Sequence, residues 1–351
     1  MAIGGTKGIN RAVNLKSSYA SWLSCERDIP RLPEKTCYHS AITVNGHLFV
    51  AGGMTCKGKY YPKRQSTKYL TKPESDGKIH AKAYWYDTSA KQWQSLAHMK
   101  RARKSAALVH MDGFVYAIGG IGRSGPLKHV ECYSLANKSW YHAGFVAMEV
   151  IDPSVVVFKG KILMYGQRSN LPDTFVLQMY NVNNKPCRGG SSGAAASSGS
   201  PRKGTWSILL EDKLSGVSTG YLKPALTVQD GKCYRVLYEV VPSNEDSSPA
   251  KVKYRARVNE IMCDFDSKVP AASIGTEAKQ HEDLMKCVIG GVTFCINDAL
   301  FFNACGVVYK VGLTTAGMAS KKSEENVWIN VDKTDDMVGA SVVLYTYESG
   351  V

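Results

Sequence analysis

The sequence lacks the features that mark several common classes of protein. No apolar stretch approaches the roughly 18 residues that cross a bilayer, and the first residues have neither the basic nor the apolar part of a signal peptide. The 10 cysteines are scattered and form no C-x-x-C pair, which argues against zinc and thioredoxin chemistry. We therefore expect a cytoplasmic protein with reduced thiols and no membrane span.

Signatures of catalysis are also scarce. The chain contains no G-x-x-x-x-G-K-[ST] phosphate loop and no H-E-x-x-H zinc pair. These absences predict a protein that is not an enzyme, binds no metal and needs no cofactor.

Acidic residues are few relative to basic ones. The chain has 30 Asp and Glu against 44 Lys and Arg, which gives a formal net charge of +14. Such an excess favours acidic partners, whether an acidic peptide, nucleic acid or an anionic membrane surface, and charge alone does not choose among them. Hydrophobic residues at 44% suffice for the core of a soluble globular protein.

What the sequence does have is an internal repeat. An apolar strand that ends in paired glycines occurs at 2–5, 49–53 and 116–120, with a weaker copy at 163–166. Each internal copy follows an alternating strand and a two-residue turn that ends in glycine, and a further turn of this kind stands at 230–231. Asn-Gly and Asp-Gly turns accept positive φ at both central residues, so they predict tight β-hairpins.

A fixed spacing predicts a second hairpin in each repeat. A tryptophan follows seven positions after Leu15, after Tyr86 and after Tyr133. Two hairpins supply four antiparallel strands, which make one propeller blade, and each blade buries its apolar faces against its neighbours.

This pattern of double glycine, spaced Tyr and Trp resembles the kelch repeat of the kelch-like adaptor family. The resemblance implies an all-β fold, a six-bladed kelch propeller in a single domain. The chain begins on a double-glycine strand and ends with an inner-strand pattern at 339–345. We therefore expect the C-terminal strand to join the N-terminal strands in blade 1, and the natural protein to continue before Met1.

The repeat predicts the boundaries of the blades. They are blade 1 at 1–25 and 336–351, blade 2 at 37–98 with a basic insert at 55–82, blade 3 at 104–144, blade 4 at 151–212 with a Gly/Ser insert at 183–204, blade 5 at 222–268 and blade 6 at 288–332.

The resemblance also implies where a partner binds, which is the mouth of the central channel. Residues in one register, eight positions before the glycine of a turn, are expected to face it: Tyr38, Ser105, Asp152 and Lys223. The loops after the second strands add Lys7, Arg123 and Arg168, and Tyr221 offers a second aromatic surface. Cations there would hold an acidic or phosphorylated segment by charge-assisted hydrogen bonds, although ordinary solvated loop residues are the alternative.

Two basic runs need separate interpretations. The blade 2 insert interleaves Tyr60, Tyr61 and Tyr69 with basic residues that include Lys57, Lys59, Lys63, Arg64 and Lys68. Such a run can bind RNA or an anionic surface, but kelch insertions are more often mobile lids, so we expect a lid and no nucleic acid. The second run, at 99–104, is expected to be a solvated connection between blades. We expect His39 and His110 to be packed structural histidines and Cys37 to be a buried thiol.

The function implied by the resemblance is recognition of a target protein for a cullin-based ubiquitin ligase. The BTB and BACK segments that contact cullin in that family are absent from this chain, so cullin would be reached only through other segments. An actin-associated or scaffolding kelch protein without a role in ubiquitination is the alternative, and an RNA-associated propeller is a third. Propeller enzymes fit poorly, because the sialidase box is absent and the eight dispersed histidines assemble no copper site.

Overall fold

The computed structural model describes the chain in segments that include every strand named below. They are 2–3, 12–15, 22–23, 32–34, 36–55, 77–182, 204–214, 224–229, 231–241, 253–284, 292–296, 299–304, 307–311, 329–330 and 341–342. All regular elements in these segments are β-strands. No helix of the length and apolarity needed to cross a membrane occurs in the described part of the chain.

Most strands belong to six four-stranded antiparallel sheets, which we number as the predicted blades. Sheet 1 contains β1 (Ala2–Ile3), β2 (Ala12–Leu15), β3 (Trp22–Leu23) and β28 (Ser341–Val342). Sheet 2 contains β5 (Ser40–Val44), β6 (His47–Ala51), β8 (Ala83–Asp87) and β9 (Gln92–Ser95). Sheet 3 contains β10 (Ala107–Met111), β11 (Phe114–Ile118), β14 (His129–Ser134) and β15 (Ser139–Phe145).

The remaining sheets follow the same order along the chain. Sheet 4 contains β16 (Val150–Phe158), β17 (Lys161–Arg168), β18 (Thr174–Val182) and β19 (Gly204–Lys213). Sheet 5 contains β20 (Ala225–Gln229), β21 (Lys232–Val241), β22 (Lys253–Asp264) and β23 (Ala271–Leu284). Sheet 6 contains β24 (Val292–Ile296), β25 (Ala299–Ala304), β26 (Val307–Val311) and β27 (Ile329–Asn330). Two ribbons pair β4 (Thr36–Cys37) with β7 (Met54–Thr55) and β12 (Ile121–Gly122) with β13 (Gly125–Pro126).

The innermost strands close a ring. In the order β28, β5, β10, β16, β20, β24 and back to β28, each inner strand contacts the next. Ala2 pairs with Val342 and Ile3 with Ser341, so the C-terminal strand completes the sheet that the N-terminal strands begin. The all-β propeller predicted from the sequence is confirmed, and closure gives each of these six inner strands a neighbour on both sides.

The predicted spacing of tryptophan reflects direct pairing across the outer hairpin. Leu15 lies opposite Trp22, Tyr86 opposite Trp93 and Tyr133 opposite Trp140. Sheet 4 keeps the same pair, Tyr180 with Trp206, although the Gly/Ser insert separates them in sequence. The Tyr and Trp ring centroids are 5.1 to 5.4 Å apart in sheets 2, 3 and 4, so each pair packs as one unit of its sheet.

Sheet 5 departs from the boundary that the sequence predicts for blade 5. Its fourth strand, β23, lies beyond residue 268, where blade 5 was expected to end. No tryptophan marks the start of this strand, and its pairing with β22 shifts register three times. Each shift breaks the two-residue alternation that identifies a strand in a sequence.

The hydrophobic core lies in layers between adjacent sheets. Along β11, Val115 and Ala117 pack in a cluster with residues of sheet 2, while Tyr116 and Ile118 pack in a cluster with residues of sheet 4. Both faces of the second strand are therefore buried. This explains why these strands are continuously apolar instead of alternating apolar and polar residues.

A buried ion pair holds the connection between sheets 2 and 3. The side chains of Arg103 and Glu131 are 0% and 2% exposed, with 2.6 Å between Nη2 and Oε1. Arg103 Nη1 also donates to the carbonyl oxygens of Gly119 at 2.9 Å and His129 at 2.8 Å. Burial lowers the pKa of the Arg103 guanidinium, and the charge of Glu131 opposes that shift.

The backbone around this pair is bound as well. Glu131 accepts the amide protons of Lys100 at 2.5 Å and Arg101 at 3.0 Å. The carbonyl of Arg103 accepts the amide proton of Gly53 at 2.8 Å. One charged pair thus joins the double-glycine strand of sheet 2 to the third strand of sheet 3.

In sheet 4, uncharged side chains hold the connection that comes from sheet 3. Gln178, two residues before Tyr180 as Glu131 is two before Tyr133, accepts from Met148 N and donates to Met148 O, both at 2.8 Å. Val150 takes the place of Arg103 and is buried. An amide side chain and an apolar side chain thus hold the connection before sheet 4, whereas a buried ion pair holds the connection before sheet 3.

We expect Gly52→Ala to destabilise the fold far more than Gly113→Ala. Both glycines have positive φ, +70° and +78°, but a Cβ on Gly52 would lie 2.4 Å from Arg103 O, whereas Gly113 faces open space. Backbone strain alone should cost Gly113→Ala about 1 kcal/mol, and the added overlap should raise the loss for Gly52→Ala to about 3 kcal/mol or more. Urea unfolding measures both, and equal losses would contradict the close approach.

Removing either member of the Arg103–Glu131 pair should destabilise strongly. Arg103→Met or Glu131→Gln alone leaves a buried charge without its partner and should lower the free energy of unfolding by about 3 to 5 kcal/mol. The double variant copies the uncharged arrangement of sheet 4, so it should be more stable than either single variant. A double-mutant cycle by urea unfolding checks this, and additive losses would refute the coupling.

Candidate binding site at the channel mouth

Three of the four residues predicted to face the channel share an unusual backbone conformation. Tyr38, Ser105 and Asp152 all have left-handed φ angles, of +55°, +49° and +47°. Each stands two residues before Ser40, Ala107 or Ser154, where the regular pairing of an inner strand begins or resumes. The shared register is therefore visible in the structure.

Lys223 and Tyr221, predicted for the same mouth, lie outside the described residues, and so does Lys7. The inner strand of sheet 5 begins at Ala225, two positions after Lys223, which matches the register of the other sheets.

Hydrogen bonds between neighbouring sheets fix this strained backbone. Ser105 N donates to Tyr38 O at 2.8 Å, which links two consecutive mouth positions directly. Ser40 Oγ donates to Ala106 O at 2.5 Å, and Ser154 Oγ accepts from Leu226 N at 2.8 Å. A left-handed non-glycine residue costs about 1 to 3 kcal/mol, so these hydrogen bonds help to offset the strain at the shared register.

Lys104 contacts one of the predicted mouth residues, Tyr38, although it was not itself predicted from the sequence. Its Nζ lies 5.2 Å from the centroid of the Tyr38 ring, within the range of a cation–π contact. The same ammonium is 3.6 Å from the sulfur of Met54. The sequence feature that could have identified Lys104 is its position directly before Ser105 in the shared register.

The two predicted arginines that the structure describes differ in whether an acidic side chain lies close to the guanidinium. Arg123 is exposed in the turn between β12 and β13. Arg168 ends β17, and its Nη1 lies 3.6 Å from Glu211 Oε2, so part of its charge is already balanced. Among the described cations of the predicted mouth, Lys104 and Arg123 lie in sheet 3 or the connection before it and form no ion pair within the described residues.

The basic insert of sheet 2 begins and ends on this face. Lys57, Lys59, Lys63, Arg64 and Lys68 lie outside the described residues, but Thr55 N donates to Lys78 O at 3.0 Å and joins the two ends. His80 follows, with Nε2 2.9 Å from Thr36 Oγ. Burial and then Lys82 lower the pKa of His80 to about 4, so a neutral imidazole holds the base of the insert.

The thiols and histidines of the described part do not form a reactive centre. Burial raises the pKa of Cys132 and Cys233 to about 12, and that of Cys263 to about 11. His39 is buried, His110 is half-buried on β10, and the side chain of Cys37 lies outside the described residues. No group of three or more His, Cys, Asp or Glu with metal-binding geometry occurs in the described segments.

One catalytic spacing does occur in the sequence, because 189–193 and 216–220 both match G-x-S-x-G. Both matches lie outside the described residues. The motif marks a nucleophile only on a strand-to-helix turn of an α/β sheet, and the described strands form antiparallel all-β sheets. It therefore gives no support to an enzyme.

Comparisons with known proteins agree with this geometry. Residues 102–144 match the Kelch motif family. The Kelch repeat and BTB domain-containing protein 8 of Xenopus tropicalis is 34% identical over 126 residues, which cover 34% of this chain and 19% of that protein. Kelch-like protein 36 of Rattus norvegicus is 29% identical over 157 residues, covering 40% and 23%. An F-box/kelch-repeat protein of Arabidopsis thaliana is 30% identical over 105 residues, covering 29% and 28%.

A solved structure extends the likeness to the whole fold. YjhT, a kelch propeller, matches with a TM-score of 0.52 and 12% identity, over 86% of this chain and 88% of its own. The aligned regions span about a fifth of the length of the first curated relatives. Kelch repeats of this kind are protein-interaction modules. The chain is therefore a β-propeller with a Kelch motif at 102–144, and over about a third of its length it is similar to kelch-like proteins.

Proposed function

We propose that this propeller recognises target proteins for a cullin-based ubiquitin ligase and holds an acidic or phosphorylated segment of the target at the channel mouth. The observation that carries the site is the joined pair Tyr38 and Ser105, with the Lys104 ammonium over the Tyr38 ring. The names of the relatives, which combine kelch repeats with BTB or F-box domains, support the adaptor role.

The arrangement of charge favours one part of the mouth. A carboxylate or phosphate near sheets 2 and 3 would meet Lys104 and Arg123, and the Tyr38 ring would pack against an adjacent apolar group. Asp152 would repel an anion placed closer to sheet 4, where Glu211 already pairs with Arg168. We therefore place the acidic segment over the junction of sheets 2 and 3.

The triple variant Tyr38→Asn, Lys104→Gln, Arg123→Gln should lose acidic targets and keep its fold. Asparagine tolerates the left-handed backbone at position 38, so the substitution removes the ring without adding strain. We expect quantitative affinity capture from lysate to show about a tenfold loss of proteins with acidic segments. The control Lys91→Gln, Lys138→Gln removes the same charge from turns at the opposite ends of the strands. Equal losses in both variants would contradict a site at the mouth.

The ligase role has its own measurement. The full-length natural protein should co-precipitate cullin, and the triple variant should keep cullin but lengthen the half-life of the captured target. Capture of targets without cullin would instead support the scaffolding function, including association with actin. Binding that is carried mainly by RNA would show as an affinity that falls steeply with salt.

A further inference from the structure

A second exposed cluster lies on the outer hairpin of sheet 3. Phe145 ends the outer strand β15, and its residue is 54% exposed. Its ring centroid is 4.9 Å from His129, the residue opposite it on β14, and 4.8 Å from His142. The three rings meet edge to face, at interplanar angles of 62° to 65°, and form a small cluster with apolar and polar parts.

Three basic residues lie on backbone segments that adjoin these rings. Arg101 acts on His129, because partial burial and then Arg101, Arg103 and His142 lower the pKa of that histidine, while Glu131 opposes them. Lys128 directly precedes His129, and Lys100 precedes Arg101. Lys100, Arg101 and Lys128 are exposed, and no ion pair involves any of the three within the described segments. The nearby carboxylate of Glu131 already forms an ion pair with Arg103.

The backbone beneath these side chains is fixed. Glu131 holds the amides of Lys100 and Arg101, and Arg103 Nη1 donates to His129 O at 2.8 Å. Val146 N donates to Lys128 O at 2.9 Å, which ties the end of β15 to the start of β14. A partner would therefore meet a preorganised surface and would order little of the backbone on binding.

We propose that this surface, the sheet 3 rim of Lys100, Arg101, Lys128, His129, His142 and Phe145, binds an acidic peptide segment that carries an aromatic or aliphatic side chain. The apolar side chain packs against Phe145, while carboxylates pair with Arg101 and Lys128. Charge complementarity supports this partner, since the three exposed cations have no ion-pair partner in the described structure.

A peptide fits the rim better than a nucleic acid does. Single-stranded nucleic acid is held by successive aromatic platforms along a basic groove, whereas the rim offers one exposed phenylalanine beside a short row of cations. The rim is also independent of the proposed mouth site. Lys104, on the same connection as Arg101, contacts Tyr38, and nothing at the rim requires the mouth to be occupied.

The test is fluorescence anisotropy with a labelled synthetic peptide that alternates Asp and Glu around one central Phe. We expect Arg101→Gln, Phe145→Ser to weaken binding about tenfold and to leave the urea unfolding midpoint unchanged. The control Lys138→Gln, Val269→Ser also removes one cation and one exposed apolar side chain, at the other end of the sheet 3 hairpin and at an exposed loop of sheet 5. It should bind within about twofold of the unmodified chain.

Further arms separate binding at the rim from binding elsewhere on the protein and from binding of another class of ligand. Replacing the central Phe of the peptide with Ser should weaken binding by a similar factor. In the background of the mouth variant Tyr38→Asn, Lys104→Gln, Arg123→Gln, which removes the other proposed site for acidic segments, Arg101→Gln, Phe145→Ser should still weaken the remaining binding about tenfold. The proposal would be overturned by equal weakening in the control, by a peptide that needs no Phe, or by stronger binding to a labelled oligothymidylate or to phosphatidylserine vesicles. Loss of binding only in the mouth variant would assign the peptide to the mouth and also overturn the rim.

Discussion

The contact between the double-glycine strand of sheet 2 and the Arg103 backbone constrains everything around it. The carbonyl oxygen of Arg103 lies 2.4 Å from the position that a Cβ of Gly52 would occupy, so the connection from sheet 2 to sheet 3 crosses the double-glycine strand closely. That approach brings a guanidinium into the interior, which is unfavourable unless the charge is paired and hydrogen-bonded. Glu131 and the carbonyl oxygens of Gly119 and His129 meet both needs.

The way in which Glu131 balances the charge of Arg103 determines which side chains nearby are exposed. Glu131 binds the backbone amides of Lys100 and Arg101, not their side chains, so both side chains remain exposed. In sheet 4 the corresponding amide, Gln178, binds the backbone of Met148, whose own side chain carries no charge. Two sheets with similar backbones thus differ in the charge that they expose at this connection.

Features of the fold that depend on local backbone geometry could be predicted from the sequence. Positive φ at Asn45, Gly46, Asp112 and Gly113 follows from turn chemistry, and the Tyr–Trp pairs follow from a fixed hairpin length. Contacts between sheets are not visible in this way, because Arg103 and Glu131 are 28 residues apart and read as ordinary surface charges. The end of sheet 5 was missed for a related reason, since repeated register shifts remove the alternation that marks a strand.

At the mouth, the shared register predicts the backbone conformation but not the chemistry of the side chains. Tyr38, Ser105 and Asp152 have the same backbone conformation, yet they offer a ring, a hydroxyl and a carboxylate. Position is fixed by the fold, while side-chain chemistry varies freely because inter-sheet hydrogen bonds, such as that from Ser105 N to Tyr38 O, involve the backbone. A propeller can therefore change its partner without changing its backbone, and specificity depends on neighbouring side chains such as Lys104 and Glu211.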